Sequence, residues 1–186
     1  MKTLTVALIG AGQRGDIYTT QMCECPEQLK VIAVAEPIAG RREKVQKRHG
    51  IADDMCFETG EELLQRPKLA DIALICTQDN QHYHMAMQAI AQGYDILLEK
   101  PVAPTAQECV DIALAAKEKG VKVLVCHVLR YTTFFNRVKQ LILDGTVGEV
   151  QSVVHVEAVG NVHQSHCFVR GNWHSEQDSS MMLLAK

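Results

Sequence analysis

A glycine-rich turn set between an apolar run and a helix-like segment does most to limit what this chain can fold into. Gly10-Ala11-Gly12-Gln13-Arg14-Gly15 follows the apolar stretch Leu4 to Ile9. Between a strand and a helix, glycines at these three places let the main chain turn sharply, pack closely and approach a pyrophosphate at the positive helix end. A lone acid, Glu36, closes the next apolar stretch, Val31 to Ala35. An acid about 20 residues beyond the last glycine stands where a carboxylate accepts hydrogen bonds from an adenosine ribose. Glycines alone also mark ordinary tight turns. Strand, helix and acid together point to dinucleotide binding. Arg41 and Arg42 open the following helix, where a guanidinium suits the 2′-phosphate of NADP, whereas the charge of Glu36 repels it. The expected cofactor is NAD, with NADP the lesser alternative.

The rest of the chain alternates short apolar runs with helical patterns. Ile72 to Cys76, Ile96 to Leu98 and Val121 to Val125 join the two runs above as strand candidates. Short runs that are apolar on both faces, with helices between them, indicate parallel strands buried between two helix layers. The expected fold class is α/β, a doubly wound parallel sheet, followed by the start of a mixed-sheet α+β domain. Thr59-x-x-Glu62 and Thr105-x-x-Glu108 fit the capping box that opens a helix. Cys109, Val110, Ala113, Leu114 and Ala116 recur at helical spacing, and Gly120 is a natural stop.

Beyond Val125 the pattern changes. Phe134, Val138, Leu141 and Ile142 mark one face of a helix ending at Asp144-Gly145, and an alternating run from Val147 to Val159 reads as the first strand of a second domain. Residues 1–126 are therefore expected to form the dinucleotide-binding domain, and residues 127–186 the incomplete beginning of a substrate and oligomerisation domain. The apolar stretch Met181 to Ala185 needs a cover, which suggests a chain cut in mid-domain.

With 186 residues there is enough chain for one substantial core and part of another. A net charge of -3 gives no electrostatic case for nucleic acid or an anionic membrane. No apolar stretch reaches membrane-spanning length, and the N-terminus lacks the pattern of a secretory signal, so the cytoplasm is the expected compartment. The seven cysteines form no C-x-x-C array and read as reduced thiols, Cys23-x-Cys25 as an incidental pair. His155, His163, His166 and His174 match no helix-borne zinc spacing, so no metal is expected.

In a doubly wound sheet, ligands bind beyond the carboxyl ends of the strands. Three such ends carry chemistry: Cys76-Thr77-Gln78-Asp79-Asn80-Gln81-His82, Glu99-Lys100-Pro101, and His127-Val128-Leu129-Arg130-Tyr131. Pro101 biases Lys100 toward an extended conformation and ends the ladder there, leaving the amine at the rim. Glu99 and Lys100 point to opposite faces of the pleat, so one braces the structure while the other reaches the reactants. Hydride removal from a secondary alcohol requires the hydroxyl proton to be taken up or relayed. A lysine beside a cationic ring, and partly desolvated, holds its proton less tightly and suits that task. On the tripeptide alone, a surface lysine in a turn is the plainer reading; the glycine turn upstream tips the balance toward chemistry. His82, at a helix start, either touches the cofactor or bonds a backbone group, whereas His84 faces elsewhere.

The pieces AliGAGqRG at Ala7 to Gly15, AvAEP at Ala33 to Pro37, TQDNQHYH at Thr77 to His84, GYDILLEKP at Gly93 to Pro101, and HVLRY followed by GTVGEV resemble the Gfo/Idh/MocA family in order and identity. That family is named for glucose-fructose oxidoreductase and inositol dehydrogenase. The resemblance implies an N-terminal Rossmann domain binding NAD(P), a C-terminal mixed-sheet domain shaping the substrate pocket and often the oligomer interface, and sugar or polyol substrates. It makes Lys100 the catalytic lysine. The candidate cofactor contacts are Gly10, Gly12, Gln13, Arg14, Gly15, Glu36, Thr77, His82, Glu99, Lys100 and Arg130. The segment from Phe168 to Lys186 resembles a subgroup in which a His-Asp pair follows, the histidine sharing proton transfer; His163, His166 and His174 precede that place. The expected function is a dehydrogenase moving hydride between NAD(P) and a sugar, polyol or cyclitol hydroxyl, in a homo-oligomer. The alternatives are a glycoside hydrolase using transient oxidation and a dinucleotide-binding regulator without turnover.

Overall fold

Runs that are apolar on both faces can satisfy their main chains only inside a sheet and their side chains only under helices on both sides. The computed structural model, which describes residues 2–171 together with 174 and 175, builds that arrangement from the N-terminal part of the chain. The strands are β1 (Leu4–Ile9), β2 (Leu29–Ala35), β3 (Cys56–Phe57), β4 (Ile72–Ile75), β5 (Asp95–Leu98) and β6 (Val123–Val125). The helices between them are α1 (Gln13–Met22), α2 (Ala39–His49), α3 (Gly60–Gln65), α4 (Asp79–Ala91) and α5 (Ala106–Lys119). The strands run parallel in the order β3-β2-β1-β4-β5-β6.

The two faces of the sheet carry separate cores. On one, Ala7, Ile9, Ala73, Ile75 and Leu98 pack with Leu63, Met85, Ala89, Ile90 and Ile112 of α3, α4 and α5. On the other, Val6, Leu8, Val34 and Leu74 pack with Met22 of α1 and Val45 of α2. Successive strand residues alternate between these cores, which is why the runs show no polar side. β1 pairs with both β2 and β4, so the winding reverses there and opens a crevice beyond the strand ends. At the other end of the strands, the Asp71 carboxylate accepts hydrogen bonds from the Thr5 amide at 2.9 Å, the Thr5 hydroxyl at 2.8 Å and the Lys2 ammonium at 2.8 Å, fixing the approach to β4 against β1.

Local signals account for several boundaries. Both capping boxes form, with the Thr59 and Thr105 side chains accepting from the Glu62 and Glu108 amides and the glutamates reaching back. Gly120 closes α5 at φ 74°, a left-handed conformation that a side chain disfavours. The runs ending at Cys76 and beginning at Val121 prove longer than their ladders, which stop at Ile75 and start at Val123.

The described residues divide into two compact units, one reaching Cys126 and one beginning at His127. The second unit contains a 3-10 turn (Val128–Tyr131), α6 (Thr133–Leu143), α7 (Asn161–Gln164) and a π-turn (Ser165–Val169). α6 carries the expected apolar stripe and is capped by Asp144. The expected strand over Val147 to Val159 is not formed: residues 151–160 have no regular structure, and Val153, Val154 and Val156 are exposed. Alternation prepares a strand, but its amides and carbonyls need a neighbouring strand, and none pairs with it among the described residues. Met181 to Ala185 lie outside the described residues. Among those residues, no helix is long and apolar enough to cross a membrane.

Candidate functional site

The three glycines of the first turn serve different ends. Gly10 has φ +92°, and a Cβ there would lie 2.7 Å from the Cys76 carbonyl oxygen, inside the switch between β1 and β4. A Cβ on Gly15 would lie 2.1 Å from the Gly10 carbonyl oxygen. Both are therefore demanded by packing. Gly12 is different: a Cβ there would meet nothing within 4 Å, so its bareness opens onto free space. Gly12 is also the N-cap of α1 and offers no side-chain acceptor to the amides of the first turn. Those amides, from Gly12, Gln13 and Arg14, have no carbonyl one turn back within the helix. An open cradle of N–H groups at a positive helix end suits a pyrophosphate.

Glu36 lies across the turn from this cradle and is only 4% exposed. One carboxylate oxygen accepts from the Ala11 amide at 2.8 Å and the other from the Ile38 amide at 3.0 Å. Each oxygen keeps a second lone pair, and these can receive ribose hydroxyls. The two arginines that follow differ in their freedom. The Arg42 guanidinium donates to the Glu36 carbonyl oxygen and lies 3.7 Å from Glu58, so it braces the end of β2. Arg41 is half-exposed, with its guanidinium 4.0 Å from the Glu36 carboxylate.

Thr77, one residue past Cys76, sits beside the glycine turn: the Cys76 amide donates to the Ile9 carbonyl at 2.8 Å. His82, near the start of α4, is fully buried. Its Nδ1 lies 2.7 Å from the Pro101 carbonyl and its Nε2 3.2 Å from the Thr77 carbonyl. Burial lowers the histidine's affinity for a second proton, so the ring is neutral at neutral pH and donates through one nitrogen. Of the two roles open to His82 in the sequence, the geometry has the ring bonding backbone, tying the strand-end loops after β4 and β5 together. His84 is exposed, its Nε2 2.8 Å from the Gln88 side-chain amide nitrogen.

At the end of β5, Glu99 is 5% exposed. It accepts from the Tyr18 hydroxyl at 2.6 Å and from the Lys100 amide at 2.7 Å, with the Arg14 guanidinium 4.0 Å away. The Lys100–Pro101 peptide is cis. Lys100 is half-buried at the rim, and among the described residues its ammonium has no hydrogen bond or ion pair. Cys76, Glu99 and Cys126 each stand one residue beyond paired positions of β4, β5 and β6. Burial pushes the Cys76 thiol well above the usual range and the Cys126 thiol up to about 11, with Glu99 adding to both. Both thiols are therefore protonated at neutral pH and are poor nucleophiles.

Gly10, Gly12, Gln13, Arg14, Gly15, Glu36, Thr77, His82, Glu99 and Lys100 all stand at the strand ends of the first unit. Arg130 lies in the 3-10 turn of the second unit, exposed. Sequence reasoning missed Tyr18. Its place one turn after Arg14 was visible, but its partner is 81 positions away.

Sheet order, glycine cradle and buried acid define a dinucleotide-binding domain of the Rossmann type. The chain belongs to the Gfo/Idh/MocA oxidoreductase family, NAD-binding Rossmann fold, whose pattern matches residues 4–127. Among curated relatives, scyllo-inositol 2-dehydrogenase (NADP(+)) IolW of Bacillus subtilis is 25% identical over 150 residues, 81% of this chain and 40% of that protein. The 2,7-anhydro-N-acetylneuraminate hydratase of Mediterraneibacter gnavus is 28% identical over 152 residues, 81% of this chain and 38% of that protein. The solved WlbA dehydrogenase of Chromobacterium violaceum, in complex with NADH and UDP-GlcNAcA, shares the fold with a TM-score of 0.73 at 17% identity, over 80% of this chain and 42% of that one. The chain thus spans about 40% of the length of these relatives.

Proposed function

We propose that this chain is the cofactor-binding part of an NAD-dependent dehydrogenase acting on a hydroxyl of a sugar, polyol or cyclitol. The observation that carries the reading is the open cradle at Gly12, flanked by two glycines that packing requires and faced by the buried Glu36. The names of the inositol dehydrogenase relatives supply the substrate class.

Gly12, Gln13 and Arg14 hold the pyrophosphate through main-chain amides, and Glu36 receives the adenosine ribose. Glu36 also favours NAD, since a 2′-phosphate would meet its charge and Arg42 is already engaged. NAD, when bound, supplies hydride acceptance. Lys100, as the neutral amine, takes the hydroxyl proton and becomes the ammonium, its side-chain nitrogen having no partner among the described residues. Thr77, His82 and Glu99 shape the rim. Residues 1–126 bind cofactor, and residues 127–186 open the substrate and oligomerisation domain of a cytoplasmic homo-oligomer, a setting consistent with free thiols throughout.

A relative named as a hydratase, a reaction without net redox change, favours the second reading, an NAD-dependent glycoside hydrolase that would use transient oxidation. A screen of sugars and polyols with full-length protein, following reduced nicotinamide, separates the two. Accumulation of NADH supports the dehydrogenase, and product without NADH overturns it. Lys100→Ala is expected to lower turnover by about 10²-fold or more while NAD affinity stays within about tenfold, because proton transfer commonly supplies that much. Unchanged turnover removes Lys100 from the chemistry.

A further inference from the structure

Glu99 is a buried carboxylate, and a buried carboxylate is stable only where donors surround it. Its donors come from two places. From α1 come the Tyr18 hydroxyl at 2.6 Å and the more distant Arg14 guanidinium. From its own strand end comes the Lys100 amide at 2.7 Å. The carboxylate therefore joins the helix that begins at the glycine cradle to the main chain of Lys100. Glu99 turns toward α1, and the residue whose amide it holds is Lys100. Holding the Lys100 amide fixes the direction in which its side chain departs.

Tyr18 completes this arrangement. Burial, reinforced by Glu99, pushes its hydroxyl well above the usual range, so it remains a donor throughout neutral pH. Arg14, at 4.0 Å, is too far to replace it as a hydrogen-bond donor. Without the hydroxyl, one carboxylate oxygen would lose the short contact it makes among the described residues, and the Glu99 side chain would be free to turn toward Arg14. The Lys100 amide would then lose its acceptor.

We propose that Tyr18 is a positioning residue for Lys100, acting through the Glu99 carboxylate to aim the lysine amine from the strand end. The proposal rests on the reading of Lys100 as the proton carrier. Tyr18→Phe keeps the ring and removes only the donor.

In full-length protein with NAD and the best substrate of the screen, Tyr18→Phe is expected to lower kcat about tenfold. NAD affinity and substrate KM should stay within twofold. Glu99→Gln should act in the same direction, and the double variant should be no slower than the slower single one, since the two side chains work as one unit. Exchange of the Lys100 amide with deuterated water should speed up about tenfold in Tyr18→Phe while the amides of β5 keep their protection, a readout independent of turnover.

Wild-type kcat and exchange in Tyr18→Phe overturn the proposal. So do additive losses in the double variant, or a joint fall of kcat, NAD affinity and melting temperature. Lys100→Ala separates the two levels: normal turnover there sinks the reading of Lys100, whereas loss there with a fully active Tyr18→Phe sinks only the role given to Tyr18.

Discussion

Helices α1 and α5 both follow a strand of the same parallel sheet, yet they begin in opposite ways. α5 closes its own first turn, with Thr105 accepting from the Glu108 amide at 3.3 Å and Glu108 accepting from the Thr105 amide at 3.1 Å. α1 begins on a bare glycine, and its first amides open outward. The contrast teaches that the sequence at a helix start distinguishes a helix that only supports the sheet from one that offers its donors to a guest. A capping side chain and an incoming phosphate compete for the same amides.

The largest test of this contrast lies at Gly15. Gly15→Ala sets a Cβ against the Gly10 carbonyl and is expected to cost about 3 kcal/mol of stability as well as cofactor binding, as chemical denaturation would show. Next comes Gly12→Ala, whose new methyl meets no protein atom. It should leave stability within about 1 kcal/mol but weaken NAD about tenfold or more in a fluorescence titration; wild-type affinity would break the comparison. At the closed helix, Thr105→Ala should cost about 1 kcal/mol and leave NAD binding untouched.

The smallest effect concerns Asp16, in the first turn of α1. Hydrogen bonds from Lys44 and Arg48, with their charges, hold its carboxyl below the usual carboxylate range against some desolvation. A carboxyl held low in the folded state stabilises fully above its unfolded value, near 3.9, and loses that effect as pH falls through the folded value. Wild type should therefore be more stable than Asp16→Asn at pH 7, by less than about 1 kcal/mol, and the gap should narrow as pH falls below the unfolded value. A gap that widens in acid would reverse the assignment.

What could be read in the chain was whatever depends on neighbours in sequence. Thr59, Thr105 and Gly120 act within one turn of themselves, and the apolar runs at β1, β2, β4 and β5 are buried on both faces, so their positions were visible. β3 was not, because two residues, Cys56 and Phe57, carry no period. At the site, the glycines and Glu36 stood out by spacing. The bond from Tyr18 to Glu99 did not, since it exists only once β5 lies beside the sheet centre. The structural work of Arg42 was equally hidden, because its partner Glu58 comes from the far side of α2. The run from Val147 to Val159 shows the converse: a local pattern without the distant partner that would give it form.

The shortness of β3 has a further effect. It is the outermost member of its side of the sheet, pairing with β2 only through Val34 with Cys56 and Ala35 with Phe57. A foreign chain attempting to extend the sheet there finds two residues of ladder to continue, too few to hold it. The flank nearest the adenosine-binding acid is in this way shielded from edge-to-edge aggregation by having so little to offer.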